Sequence, residues 1–140
     1  RAQVNAELNG FAPDVCKWQQ ADVFDYLRRA REAGDTYDLI ILDPPKFASS
    51  HYHVDRAARA YKDINLNGLR LLRAGGQLLT FSCSGAIDTD LFQKIVAGAV
   101  IDSRRQAWAL SRFGAGVDHP LLMTFPEGEY LKGLHLKLCD

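Results

Sequence analysis

At 140 residues the chain is sized for one domain with its own core, and its apolar and charged contents, 47% and 24%, are those of an ordinary globular protein. Seventeen basic and seventeen acidic residues cancel, so the whole-chain charge lends no support to nucleic-acid binding, although a basic face can sit inside a neutral total. No apolar run approaches the ~20 residues of a membrane span, nothing reads as a signal peptide, and the three scattered cysteines (Cys16, Cys83, Cys139) match neither a disulfide framework nor a zinc site, which suits a reducing cytoplasm.

Residues Ala2 to Gly10 read as a helix closed by an Asn9-Gly10 cap. Beginning in mid-helix and without methionine, the chain is expected to be a fragment of a longer protein. Val15 to Gln20 reads as a short strand. Asp22 is placed to cap a helix from Val23 to about Ala33, whose apolar face is Val23, Phe24, Leu27 and Ala30, with Gly34 closing it. Tyr37 to Leu42 is the second strand, and Pro44-Pro45 forbid its continuation. A polar loop from Ala48 to Val54 carries His51, Tyr52 and His53. A long helix follows, from about Asp55 to Leu72, broken by Gly75-Gly76.

Gln77 to Phe81 is the third strand. Asp88 caps the next helix, with Ile87 packing on Phe92 as a hydrophobic staple and a stripe of Leu91, Phe92, Ile95, Val96, Ala99 and Val100. Gln106 to Phe113 and Leu131 to Leu138 read as strands. Only a loop joins them, and a parallel pair needs a crossover of a dozen or more residues, usually helical, so this last pair should be antiparallel. Arg28, Arg29, Arg31, Arg104, Arg105 and Arg112 read as solvated helix faces. The alternation of strands and helices predicts an α/β fold: a mainly parallel sheet, helices on both faces, and an antiparallel carboxyl-terminal strand.

Two strands end abruptly at polar residues. One ends at Asp43-Pro44-Pro45, the other at Ser82-Cys83-Ser84-Gly85. Sheets of this class carry their chemistry at the carboxyl ends of strands. Neighbouring strands lie ~4.8 Å apart, so Asp43 and Cys83 can face one flat ring. A free cysteine is usually a small buried hydrophobe, which is the reading for Cys16 and Cys139. Cys83 departs from it because serines and a glycine surround it in a turn where a thiolate can be solvated.

Asp43-Pro44-Pro45-Lys46-Phe47, Tyr61-Lys62-Asp63-Ile64-Asn65, Phe81-Ser82-Cys83-Ser84-Gly85, Asp118-His119-Pro120 and Pro126-Glu127-Gly128-Glu129-Tyr130-Leu131-Lys132-Gly133 follow in order. Together they resemble the carboxyl-terminal part of bacterial 23S ribosomal RNA cytosine-C5 methyltransferases. These are S-adenosylmethionine-dependent enzymes with a Rossmann-like class I catalytic domain, normally preceded by an RNA-binding PUA domain. The resemblance implies that residues 1–140 are a partial catalytic domain, with the PUA domain and the Gly-rich cofactor loop lying before Arg1, and that the fragment alone binds the cofactor weakly or not at all.

By the same resemblance, Asp22 matches the acid that contacts the adenine of S-adenosylmethionine. Asp43 and Pro44 match the motif lining the methyl-donor and base pocket, and Cys83 matches the nucleophile. Cytosine C5 is too weak a nucleophile unaided. A thiolate adding to C6 makes it reactive, and an acid near N3, for which Asp43 is the candidate, stabilises the charge that develops. Pro45, Lys46, Phe47, Lys62, Ser84 and His119 are the further candidates for substrate contact. For Lys46 and Lys62 the competing reading is a surface lysine, and for His119 a loop brace; Tyr61 is read as a packing residue. No metal is expected. The expected partner is ribosomal RNA, with a homodimer an open option and no membrane. Two other readings stay open: methylation of an exocyclic amine, with Asp-Pro-Pro binding the amino group, and an inactive structural fragment. A last expectation concerns the sheet. In the class I order the missing strands lie between the Val15–Gln20 strand and the Tyr37–Leu42 strand, so the former should be detached from the main sheet, pair with another chain, or pack irregularly.

Overall fold

In the computed structural model, residues 1–12, 14–47 and 53–140 are described. The expected polar loop therefore lies largely outside them, His51 and Tyr52 included. Helices α1 (Ala2–Leu8) and α2 (Val23–Ala33) precede strand β1 (Tyr37–Leu42). Helix α3 (Val54–Leu71) leads into β2 (Leu72–Ser82), and α4 (Thr89–Ser103) into β3 (Ala107–Phe113). A connection with one short 3-10 turn, Pro126–Gly128, reaches β4 (Lys132–Leu138).

The caps behave as their chemistry dictates. Asp22 Oδ1 accepts the Phe24 and Asp25 N–H groups at 2.9 and 3.1 Å, and Gly34 closes α2 in the left-handed region at φ 77°. Asp88 Oδ1 accepts the Leu91 N–H at 2.7 Å, and the expected staple partners Ile87 and Phe92 are both fully buried. Arg105, expected on a solvated face, instead donates to the Leu69 and Leu72 carbonyls at the junction of α3 and β2, and pairs with Asp140 at 2.8 Å. That guanidinium holds the Asp140 carboxyl below its usual value.

The strand order is β1-β2-β4-β3. β1 and β2 are parallel, while β4 runs antiparallel to both β2 and β3. The antiparallel final pair is thus observed, but β4 inserts between β2 and β3 and leaves β3 at the edge. β2 begins earlier than its apolar run suggests: α3 ends at Leu71, before the two glycines, and the register jumps between Tyr37↔Leu72 and Leu39↔Gln77. Gly75, at φ 70°, takes up the resulting bulge and donates its N–H to the Asp140 carbonyl at 2.6 Å.

One face of the sheet carries the core. Leu42, Leu78, Leu134, Leu136 and Leu138 are buried, together with Leu27 and Ala30 of α2, Ala57, Tyr61 and Ile64 of α3, and Phe92, Ile95, Val96 and Ala99 of α4. Gly68 lets α3 settle on the sheet, since a Cβ there would come within 3.2 Å of Leu42 Cδ1. Successive strand residues point to opposite faces, and on the other face Leu39, Ile41 and Trp108 are 49%, 58% and 69% exposed. The expectation of helices on both faces is met on one face in this chain. Val15 to Gln20 forms no strand; the segment is mostly exposed and joins no ladder, so its detachment is observed although its strand character is not. A strand exists through its ladder partner, and among the described residues none lies beside it.

Candidate active site

Parallel pairing sets the geometry of the site. Leu42 is in register with Thr80, so Asp43 emerges at the level of Phe81, with Cys83 two residues further along β2. The Cys83 thiol donates to the Pro44 carbonyl, with sulfur and oxygen 3.9 Å apart. The two interrupted strand ends therefore meet at the same end of the sheet. Asp43, Pro45 and Lys46 are exposed, while Pro44 and Cys83 are half-buried.

The floor beneath Cys83 is buried. Thr80, Ser82 and Ser84 have no exposed surface. The Ser84 hydroxyl pairs with the Tyr61 hydroxyl at 2.9 Å. Ser84 is therefore a structural neighbour of the thiol, with no surface to offer a substrate. Phe47 likewise packs inward: its ring lies 4.7 Å from Tyr61 and 5.9 Å from Phe24. That contact puts the start of α2 beside the Asp-Pro-Pro loop. Because α2 returns to β1 through a short turn, its amino end, and with it Asp22, lies at the same end of the sheet as Asp43 and Cys83. Asp22 is exposed there, one carboxylate oxygen committed to the helix cap.

Three weaker candidates separate from the group. Lys62 is not brought to it: its ammonium pairs at 2.8 Å with Asp102, near the far end of α4 and about 20 Å along that helix from its start. His119 is exposed, 3.2 Å from Asp118, beside a cavity of ≈ 460 Å³ lined by Pro120, Tyr130 and Leu131. Lys46 borders a different hollow of ≈ 440 Å³ with Phe24, Phe47, His53 and Arg56.

Lys132 belongs to the last of the five sequence segments but was assigned no role at the site. It opens β4, is only 7% exposed, and donates to the Ser84 carbonyl at 2.7 Å and to the Ile87 carbonyl. Burial pushes its ammonium below the usual lysine value, against the pull of the Asp88 carboxylate and of Cys83. The signal was present in the chain: Lys132, Leu134, Leu136 and Leu138 alternate, so the lysine occupies a core register of the strand. Among the described residues no cluster of three candidate metal ligands occurs, and no helix is long and apolar enough to cross a membrane.

The fold has counterparts among solved structures. A protein of Streptococcus mutans assigned as a SAM-dependent methyltransferase superposes with TM-score 0.81 over 97% of this chain and 34% of its own, at 23% identity. A structure of a protein assigned as a methyltransferase, in complex with SAH, gives the same TM-score and identity and covers 35% of that chain. A methyltransferase homologue from Pyrococcus horikoshii matches at TM-score 0.62 and 15% identity, over 96% of this chain and 48% of its own. The fold is that of an α/β methyltransferase. In sequence, the chain is 50% identical over 133 residues to ribosomal RNA large subunit methyltransferase I of Shewanella amazonensis, covering 95% of this chain and 34% of that protein. The enzyme of the same name from Erwinia tasmaniensis is 48% identical over 132 residues, 94% of this chain and 33% of that protein. The chain thus spans about a third of the length of the curated relatives it matches. No family profile matches it.

Proposed function

We propose that the full-length protein transfers a methyl group from S-adenosylmethionine to C5 of a cytosine in 23S ribosomal RNA, through a covalent adduct with Cys83. The observation that carries this reading is the contact of the Cys83 thiol with the Pro44 carbonyl, which sets the thiol beside the Asp43-Pro44-Pro45 loop at the sheet end. The similarity to ribosomal RNA methyltransferases, and to a structure complexed with SAH, supports the reaction class and the cofactor.

The residues present suit that cofactor. Asp22 and Asp43 offer exposed carboxylates at the same sheet end, and Pro44 gives a rigid apolar wall. Asp22 would hold the adenine side, and Asp43 with Pro44 the donor end. The bound cofactor supplies an electrophilic methyl group. The Cys83 thiolate adds to C6 of the base, and the C5=C6 pair moves toward C5 and N3, where Asp43, in its neutral acid form, donates a hydrogen bond to N3. C5, made nucleophilic in this way, would accept the methyl group that the bound cofactor supplies, the sulfonium leaving as the thioether. A base removes the C5 proton, the double bond re-forms and the thiolate leaves.

Cys83→Ala in the full-length protein should abolish methylation, and RNA carrying 5-fluorocytosine should be trapped on Cys83 because fluorine cannot leave as the proton does. Mass spectrometry of the nucleosides distinguishes 5-methylcytidine from an N-methylated base. Methylation surviving the substitution overturns the covalent mechanism, and an N-methylated product establishes the exocyclic-amine alternative.

A further inference from the structure

The turn after Cys83 is gripped from below. Lys132 stands in register with Ser82, the residue before the thiol. Its ammonium donates to the carbonyls of Ser84 and Ile87, the first and last residues of the turn that links Cys83 to α4. The Ile87 N–H closes the same turn on the Ser84 carbonyl at 3.1 Å, and the Ser84 N–H donates to Ser82 Oγ at 3.3 Å. Tyr61 reaches in from α3 to the Ser84 hydroxyl. The turn is thus tied to β2, β4 and α3 at once.

A buried ammonium is costly to desolvate. An apolar side chain, such as those at Leu134, Leu136 and Leu138 on the same face, would pack there without that cost. The charge is spent on the two carbonyls. The ionisable groups around it are Asp88 at the start of α4, Cys83 at the end of β2 and Tyr61 on α3. Arg112 and Glu129 share the adjoining ≈ 460 Å³ cavity with it.

The geometry points to Lys132 as a positioning residue for Cys83: by holding the Ser84 and Ile87 carbonyls it fixes the turn that presents the thiol to the base pocket. This rests on the reading of Cys83 as nucleophile. A displacement of order 1 Å at a reacting group costs about 100-fold in rate, so the effect belongs in the chemical step and not in binding.

The test uses the full-length enzyme and an RNA that it methylates. Lys132→Met removes both the charge and the donors, while Lys132→Gln keeps an N–H donor without the charge. The methionine variant should lose about 100-fold in kcat, with KM for RNA and for S-adenosylmethionine changed by no more than about twofold, and adduct formation with 5-fluorocytosine RNA should slow in parallel. The glutamine variant should recover about tenfold over methionine. Wild-type kcat in Lys132→Met, a raised KM with kcat unchanged, or glutamine no better than methionine each overturns the inference. Failure of both variants to fold by far-UV circular dichroism overturns it too, in favour of a purely structural role. Cys83→Ala, run alongside, separates the two readings. If it stays active, the nucleophile assignment falls. If it is dead while Lys132→Met is fully active, only the role of the lysine falls.

Discussion

Gly133→Ala probes how closely β4 is packed under the rings of β2 and β3. Gly133 sits in β4 opposite Phe81, at the level of Asp43 and two residues before Cys83. A Cβ added there would lie 2.5 and 2.6 Å from Phe81 Cδ1 and Cε1, and 3.3 Å from Phe113 Cβ. Carbon atoms in contact sit about 3.5–4.0 Å apart, so roughly 1 Å of overlap must be relieved. The Phe81 ring stacks at 5.7 Å on Phe113, which stacks in turn on His135 at 6.4 Å, so moving it aside gives up those contacts. Overpacking of this kind costs about 1–3 kcal/mol, offset by about 0.4–1 kcal/mol from the reduced entropy of the unfolded chain. A net loss of about 1–2 kcal/mol follows, read in the full-length protein by urea denaturation with circular dichroism. In a Phe81→Ala background the same substitution should cost nothing or stabilise, giving a coupling energy of about 1–2 kcal/mol. An unchanged or raised midpoint for Gly133→Ala in the wild-type background, or equal costs in both, would refute the argument that ring contact forbids a side chain there.

Asp22→Ala separates a structural role from a cofactor role: losing the cap of α2 should cost about 1 kcal/mol of stability, while Asp22→Asn, a nearly equivalent cap, should keep the stability but weaken S-adenosylmethionine binding in calorimetric titration if the carboxylate holds the adenine side. The Tyr37 hydroxyl is pushed up to about 12, first by its hydrogen bond with Tyr26, at 3.1 Å, and then by burial. Its folded value exceeds the unfolded one, so the folded state binds the extra proton; the stability contributed is full below about pH 10 and is lost as pH rises toward 12. Tyr26→Phe should bring the tyrosinate absorbance transition of Tyr37 down, and a transition left in place would show that the hydrogen bond is not the cause.

Much of the architecture was legible because its determinants are local. Asp22 and Asp88 cap helices with side chains that reach only three residues ahead, and the core stripe of α4 follows from the 3.6-residue repeat. The end of β1 was legible because proline cannot extend a strand. The site was half legible: the two strand ends announce themselves, and strand spacing puts them within reach of one ring. Lys62 misled because a lysine beside a motif says nothing about which way it faces; the helix turned it toward Asp102 on α4. Lys132 was missed although its alternation with buried leucines marked it as an inward-facing charge.

From its sequence alone, this protein is determined to alternate strands and helices, to stop two strands at Asp43 and at Cys83, and to close with an antiparallel pair. These are consequences of backbone chemistry and of residue period. Only the tertiary structure decided that β4 enters between β2 and β3, because strand order depends on which apolar faces pack best across the whole sheet. That insertion sets Lys132 against Ser82 and sends its ammonium under the turn that presents Cys83, a contact between residues far apart in sequence that no local rule specifies.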